Sequence, residues 1–160
     1  MDVCTIIAKN YAAHARVLAR SFAEHHPGGR FFVLVIDDAN GYLEPGKEPF
    51  EIMTPADLGC DEFGHMAARY DVLELSTAVK PWLLRHLLDR GSQAITYLDP
   101  DIQVFGSLNR LEQLALEHRL VLIPHNTVPI PFDGEHPSQV DIMIAGVFNL
   151  GYISLAGSPA

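Results

Sequence analysis

Short, almost continuous apolar runs alternate along the chain with longer segments in which apolar residues recur every three or four positions. The runs are typical of buried strands, and the periodic segments are typical of amphipathic helices. Strands are predicted over residues 3–8, 30–38, 50–53, 94–105, 120–125 and 147–155. Helices are predicted over residues 11–22, 61–91, 108–115 and 138–145.

Residues with special backbone preferences mark where several helices begin and end. Asn10 is a predicted N-cap for the first helix, and Pro55 predicts the first residue of a short helical turn. The segment 61–91 is expected to fall into two pieces, because Pro81 lacks a backbone donor and marks a first turn or a kink. Gly91 is a typical C-terminal stop.

Strands that are apolar throughout and alternate with helices indicate an α/β fold. The pattern predicts a three-layer α/β/α sandwich with a mainly parallel sheet. Residues 1–160 are expected to form a single domain. Because the chain stops only a few residues after an apolar strand, we expect the domain to be incomplete at its C-terminus.

Composition and charge exclude several classes of protein. The chain has 160 residues, is 48% hydrophobic and carries a formal charge of −9. This charge argues against nucleic-acid binding, which needs clustered Lys and Arg. No segment has the roughly 20 apolar residues of a transmembrane helix, and the start of the chain does not read as a secretion signal. With two cysteines, too few for a disulfide framework, a cytoplasmic location is expected.

Two carboxylates, Asp99 and Asp101, interrupt the apolar strand predicted over 94–105. In an extended chain they would share one face, unless the intervening Pro100 bends the backbone. Because proline cannot donate to a sheet ladder, we expect the strand to end or bulge there, near the carboxyl edge of the sheet. Ligands bind at that edge in open α/β folds.

Three interpretations of this acidic pair are open. In the first, one carboxyl is protonated with a raised pKa; in the second, both simply cap a strand end. Alternatively, the pair holds a divalent cation, because carboxylates are hard oxygen ligands suited to Mg²⁺ or Mn²⁺. The apolar sequence on both sides favours the metal interpretation. A cation would also let an acidic protein bind a phosphate compound, because it reverses the local charge.

Two other protein classes that place acidic residues at strand ends fit less well. A haloacid-dehalogenase-type phosphatase needs Thr or Val where this chain has Gln103, and its motif lies near the start of the chain. A response-regulator receiver needs an acidic pair such as Asp37 and Asp38, and then a later phosphoacceptor Asp and Lys. No lysine follows Lys80 in this sequence.

Four blocks of the sequence together resemble the glycosyltransferases of the GT-A fold, and most closely the retaining enzymes similar to family 8. The blocks are IIAKNYAAHARVLARSF, TAVKPWLLRHLLDRG, ITYLDPDIQVF and AGVFNLGYISL, and they occur in the order found in that family. The resemblance covers most of the chain. It implies a nucleotide-diphospho-sugar transferase fold, present here as its N-terminal portion.

The resemblance also implies a set of site residues. Metal binding is expected at Asp99 and Asp101, and a catalytic role is expected for the same two residues and Lys80. The residues expected to bind the nucleotide-sugar are Ala8, Asn10, Tyr11, Asp38, Lys80, Asp99, Pro100 and Asp101. Asn149 and Gly151 are expected on the side of the donor and acceptor sugars, and Asp141, outside the matched positions, is a further candidate on the acceptor side.

The function implied is metal-dependent transfer of a sugar from a nucleoside-diphosphate sugar to a hydroxyl of a carbohydrate or other acceptor. UDP is expected before GDP as the nucleotide, and Mn²⁺ or Mg²⁺ as the cofactor. The alternative is a non-catalytic or truncated module that binds nucleotide-sugars. A sugar nucleotidyltransferase is a third possibility, but its Gly-rich phosphate loop is missing from the first turn, which reads AKNYAAH.

Overall fold

The computed structural model describes residues 1–39 and 41–157. In these residues the strands are β1 (Asp2–Ile7), β2 (Arg30–Val35), β3 (Glu51–Met53), β4 (Ala94–Leu98), β5 (Leu120–Pro124) and β6 (Phe148–Ala156). The α-helices are α1 (Ala12–His25), α2 (Phe63–Arg69), α3 (Val72–Ala78), α4 (Lys80–Asp89), α5 (Asn109–His118) and α6 (Gln139–Ala145). Short 3-10 turns span Lys9–Tyr11 and Pro55–Leu58.

The strands form one mixed sheet in the order β3-β2-β1-β4-β6-β5. The first four are mutually parallel, which confirms the mainly parallel sheet predicted from their apolar sequences. Strand β6 lies between β4 and β5 and is antiparallel to both. As a result, the start of β6 lies beside the carboxyl end of β4.

Alternate residues of the strands pack into two cores, one on each face of the sheet. Cys4 and Ile6 of β1 face the core formed with α3 and α4. Val3 and Ile7 face the opposite core, formed with α1 and residues next to α5. Burial of both faces confirms the three-layer sandwich, and it explains why the central strands are apolar at every position.

The helical segment predicted over 61–91 forms three helices rather than two. The additional break falls between α2 and α3. There the Asp71 side chain accepts a hydrogen bond from the Glu74 N–H and so caps the start of α3. Pro81 occupies the first turn of α4, as predicted, where its missing N–H costs no helical hydrogen bond. None of the helices in the described ranges is both long and apolar enough to span a bilayer.

Two local predictions were wrong. The strand predicted over 94–105 ends at Leu98, because the chain turns at the residues that follow. Asn10 does not cap α1: it lies inside the 3-10 turn, and the N-cap position belongs to Tyr11, which makes no side-chain capping bond.

Candidate functional site

A cleft of about 490 Å³ opens at the carboxyl ends of β1 and β4, between α3 and the start of β6. This is the edge at which ligands bind in open α/β sheets. The predicted site residues that line it are Ala8, Tyr11, Lys80, Asp99, Pro100, Asp101, Asn149 and Gly151. The other lining residues are Ile6, Ile7, Val72, Leu73, Ser76, Thr77, Tyr97 and Leu150.

The acidic pair lies in a turn directly after β4. The Asp99 N–H donates to the Gly151 carbonyl oxygen at 2.9 Å, and the Ile102 N–H donates back to the Asp99 carbonyl oxygen at 3.1 Å. The backbone is therefore bent at Pro100, so the argument that residues two apart on a strand share one face does not apply. Asp99 and Asp101 nevertheless line the same cleft, with Asp99 partly buried and Asp101 exposed.

Lys80 is a buried cation at the floor of the cleft. Its residue is only 7% exposed, so it is not an ordinary solvated surface lysine. Its Nζ donates to the Leu150 carbonyl oxygen at 3.1 Å and lies 3.4 Å from Asp99 Oδ1. The same ammonium stands 4.3 Å from the centre of the Tyr97 ring, within range of a cation–π interaction.

Tyr97 is a contact residue of Asp99 that the sequence reasoning missed. Its hydroxyl donates a hydrogen bond to Asp99 Oδ1 at 2.7 Å. Burial, and then the neighbouring charge of Asp99, raises the pKa of the Tyr97 hydroxyl far above its usual range, so this group remains a protonated donor. The available signal was its position on the strand, two residues before Asp99.

Asn149 and Gly151 close the cleft on the β6 side. The Gly151 N–H donates to the Asn149 side-chain oxygen at 2.9 Å. A β-carbon at residue 151 would stand 2.9 Å from Asp99 Oδ2 and 2.9 Å from Asn149 Oδ1. Real β-carbons essentially never come this close to other heavy atoms, so any larger residue here would force the Asp99 and Asn149 side chains to shift.

On the β1 side, Ala8 and Tyr11 follow the strand and line the cleft. Tyr11 is 42% exposed, so it is not a core residue despite its helical spacing with Ala15. Its ring lies 4.9 Å from that of His14. One face of an aromatic side chain is thus available at the rim of the cleft.

Three predicted site residues do not line the cleft. Asn10, in the middle of the first 3-10 turn, and Asp38, in the loop after β2, are both exposed. Asp141 takes part in the capping box of α6, where its carboxylate accepts hydrogen bonds from the Ser138 N–H and hydroxyl at 2.7 and 2.8 Å. These bonds lower the pKa of Asp141, together with a 2.6 Å contact to His136.

The oxygens in the cleft are chemically suited to a hard divalent cation. Magnesium is commonly bound by one or two carboxylates together with phosphates of the substrate, and Asp99 and Asp101 match that ligand set. Within residues 1–39 and 41–157, no group of three or more His, Cys, Asp or Glu side chains is placed to hold a metal ion. The two carboxylates therefore fit a cation that takes its remaining ligands from water or from phosphate oxygens.

Comparison with solved structures identifies the fold. The galactosyltransferase LgtC, solved in complex with donor and acceptor sugar analogues, superimposes with a TM-score of 0.65 at 22% sequence identity, covering 98% of this chain and 58% of that one. The bifunctional glycosyltransferase WbbM gives a TM-score of 0.58 at 15% identity, covering 98% and 31% of the two chains. Mouse xyloside xylosyltransferase 1 gives 0.51 at 12% identity, covering 98% and 67%.

The chain therefore has the GT-A glycosyltransferase fold expected from the four sequence blocks. It spans about 58% of the length of the galactosyltransferase that it matches. No protein-family model matches the sequence, and no curated protein does.

Proposed function

We propose that this chain forms the donor-binding part of a metal-dependent glycosyltransferase, which transfers a sugar from a nucleoside-diphosphate sugar to an acceptor hydroxyl. The observation that carries the proposal is the grouping of Asp99, Asp101 and Lys80 in one cleft at the carboxyl edge of the sheet. Two carboxylates and a buried cation at that edge suit a phosphorylated ligand bound together with a divalent cation. The fold shared with glycosyltransferases makes a sugar nucleotide the expected form of that ligand.

Asp99 and Asp101 would hold Mn²⁺ or Mg²⁺, whose chemistry is to offset the charge that a diphosphate leaving group gains as the sugar departs. Lys80 supplies a second positive group from the floor of the cleft. Its burial keeps its ammonium poorly hydrated, which strengthens an interaction with a phosphate oxygen. Loss of one carboxylate is expected to lower the rate of transfer by about 100-fold, as for other electrostatic catalytic groups.

The other predicted site residues that line the cleft form two groups, one proposed for the nucleoside and one for the sugar. Ala8 and Tyr11 are proposed to contact the nucleoside, with the exposed ring of Tyr11 stacking on the base. Asn149 and Gly151 are proposed to lie beside the transferred sugar, next to Asp99. UDP is the first candidate for the nucleotide and GDP the second.

Calorimetric titration of UDP, GDP and their common sugar conjugates, with and without Mn²⁺, tests the proposal. The wild-type chain is expected to bind one of these ligands only when Mn²⁺ is present. Asp101→Ala is expected to abolish that binding without unfolding the domain, because the side chain is exposed. Asp61→Ala removes an exposed carboxylate that is absent from the cleft and should bind as the wild type does. Equal affinities in wild type and Asp101→Ala, with and without metal, would refute the proposal.

A non-catalytic module that binds nucleotide-sugars is the second candidate, because the chain spans only part of the galactosyltransferase that it matches. Release of free sugar from the donor, measured with metal and without acceptor, separates the two functions. Hydrolysis that is lost in Asp101→Ala supports a transferase. Metal-dependent binding without any hydrolysis supports the binding module.

A further inference from the structure

Tyr97 is a buried polar side chain at the cleft to which the proposed function gives no role. The residue lies in β4 and is only 1% exposed. Its hydroxyl reaches Asp99 Oδ1 at 2.7 Å, a distance typical of a strong hydrogen bond to a carboxylate. One oxygen of Asp99 is therefore already bound by a neutral donor.

Lys80 approaches the same oxygen less closely. Its Nζ lies 3.4 Å from Asp99 Oδ1, beyond the roughly 2.7–2.9 Å of a good charge-assisted hydrogen bond between an ammonium and a carboxylate. The ammonium makes only a long hydrogen bond to this oxygen, and it donates to the Leu150 carbonyl oxygen at 3.1 Å. The tyrosine thus makes the short contact with Asp99, and the lysine makes the long one.

The second oxygen of Asp99 faces Gly151, and the Asp99 side chain is 39% exposed. Asp99 Oδ2 is 2.9 Å from the position that a β-carbon at residue 151 would occupy, and Gly151 leaves that position empty. Both residues line the cleft. The hydrogen bonds from Tyr97 and Lys80 therefore both fall on Oδ1, and Oδ2 belongs to a partly exposed side chain that lines the cleft.

We propose that Tyr97 is a positioning residue: it holds the Asp99 carboxylate apart from Lys80 and so keeps Oδ2 available to a divalent cation. The inference rests on the proposed function, in which Asp99 is a metal ligand. Without the hydroxyl, the carboxylate turns toward the ammonium and forms a closer ion pair. Its negative charge is then largely neutralised before a cation arrives. Tyrosine suits this role because its hydroxyl satisfies the carboxylate without adding charge.

Binding of Mn²⁺ to the whole chain, followed through the electron paramagnetic resonance signal of free Mn²⁺ and without nucleotide, tests the inference. Mutation of a residue that hydrogen-bonds a metal ligand typically lowers the metal affinity by about 10- to 100-fold. Tyr97→Phe is therefore expected to weaken Mn²⁺ binding by about tenfold. The matched control is Tyr152→Phe, a similarly buried tyrosine that packs into the core on the opposite face of the sheet. Its affinity should stay within about twofold of the wild type, as for an independent site.

Asp99→Asn separates failure of the inference from failure of the proposed function. If Asp99→Asn loses Mn²⁺ binding while Tyr97→Phe retains it fully, the role of Tyr97 is overturned and the metal site stands. If the wild type binds no Mn²⁺, or if Asp99→Asn binds it as the wild type does, the metal site of the proposed function fails, and the inference fails with it.

A double-mutant cycle with Lys80→Met distinguishes positioning from a general structural effect. Removing the lysine charge raises Mn²⁺ affinity in either background. In the Tyr97→Phe background it also frees the carboxylate, so the gain is expected to be larger by about a further tenfold. A merely structural role for the hydroxyl predicts equal gains in both backgrounds, and equal gains would overturn the proposal.

Far-UV circular dichroism and thermal unfolding check that each variant is folded. A crystal structure of the metal-free wild type provides a second measurement, which needs no variant. The Tyr97 hydroxyl is expected to remain bonded to Asp99, with the lysine farther away. A Lys80 Nζ within about 2.9 Å of Asp99, with the hydroxyl turned elsewhere, would overturn the inference even if Tyr97→Phe failed to fold.

Discussion

The main-chain N–H of Asp99 donates a hydrogen bond to the carbonyl oxygen of Gly151 at 2.9 Å, although β4 has ended one residue earlier. This bond extends the β4–β6 pairing by one step and brings the acidic turn against the start of β6. Asp99 and Asn149 consequently lie on either side of the glycine, and each has a side-chain oxygen 2.9 Å from the place of its missing β-carbon.

Gly151→Ala is expected to impair the site more than the fold. The added methyl group would meet the ends of two side chains rather than backbone, so both carboxylate and amide can move aside at modest cost in stability. The displaced Asp99 carboxylate then no longer presents Oδ2 to a cation. We expect Mn²⁺-dependent nucleotide affinity to fall at least tenfold, with the thermal midpoint changed little.

Gly64→Ala is the control for this substitution. Gly64 lies inside α2, and an added β-carbon would meet nothing within 4 Å. Alanine is favoured over glycine in a helix by about 0.5–1 kcal/mol, so this variant should be slightly more stable. Its nucleotide affinity should equal that of the wild type. A Gly151→Ala variant that bound nucleotide equally well would show that Asp99 does not need its present orientation.

Lys80→Met is expected to change the affinities for metal and for nucleotide in opposite directions. Removing a positive charge 3.4 Å from Asp99 strengthens binding of Mn²⁺ alone. It also removes a cation proposed to contact the diphosphate. A hydrogen bond to a charged group is worth about 1.5–3 kcal/mol, so UDP affinity in saturating Mn²⁺ should fall by roughly 10- to 100-fold.

Lys47→Met, which removes an equal charge from an exposed side chain, controls for the change in net charge. It should leave both affinities unchanged when measured by calorimetry at constant ionic strength. If Lys80→Met and Lys47→Met behave alike, Lys80 has no direct contact with the diphosphate.

The outline of the fold and the position of the acidic pair could be predicted because local patterns determine them. Apolar strands between amphipathic helices indicate a covered parallel sheet, and Pro100 indicates the end of a strand. Together these place Asp99 and Asp101 at the edge where such folds bind ligands. The prediction survives the bend at Pro100, because it depends on where the strand ends and not on which face the side chains share.

Relationships between distant segments could not be read in the same way. Tyr97 lies in an apolar stretch of the sequence, which indicates a core residue. Only the fold shows that its hydroxyl donates a hydrogen bond to Asp99. Leu73 lines the cleft from α3, a helix whose separate start at Asp71 was not predicted. Asp141 looked available for a ligand, but the three-residue spacing from Ser138 is that of a capping box.

Tyr11→Leu is expected to weaken nucleotide binding while leaving metal binding intact. Stacking of a base on an aromatic ring is worth about 1–3 kcal/mol, so UDP affinity should fall by roughly 5- to 100-fold. Binding of Mn²⁺ alone should not change, because the hydrogen bonds to the Asp99 side chain come from Tyr97 and Lys80 and not from Tyr11. Tyr70→Leu, at a tyrosine that is 41% exposed and absent from the cleft, is the control. Equal losses in the two variants would argue against stacking.

A buried histidine, far along the chain from the acidic turn, links α1 to the segment before α5. His26 is 7% exposed and stacks on the Phe22 ring at 4.9 Å. Its Nε2 accepts a hydrogen bond from the Leu108 N–H at 2.9 Å, which requires that nitrogen to be unprotonated. Burial, assisted by the charges of the chain's N-terminus and His25, lowers the pKa of His26, while Glu112 opposes the shift.

The lowered pKa of His26 predicts the direction in which acid affects stability. A folded-state pKa below the ordinary value of 6.5 means that the unfolded chain binds the proton more readily. The stability contributed by neutral His26 is therefore complete above pH 6.5 and is lost as the pH falls from there through the folded-state pKa.

Urea unfolding between about pH 7.5 and pH 5 should show this decline in the wild type. His26→Gln should flatten it, because the side-chain amide oxygen accepts a hydrogen bond but does not titrate. His65→Gln, at an exposed residue of α2, should leave the slope unchanged, and an undiminished slope in His26→Gln would assign the decline to another group.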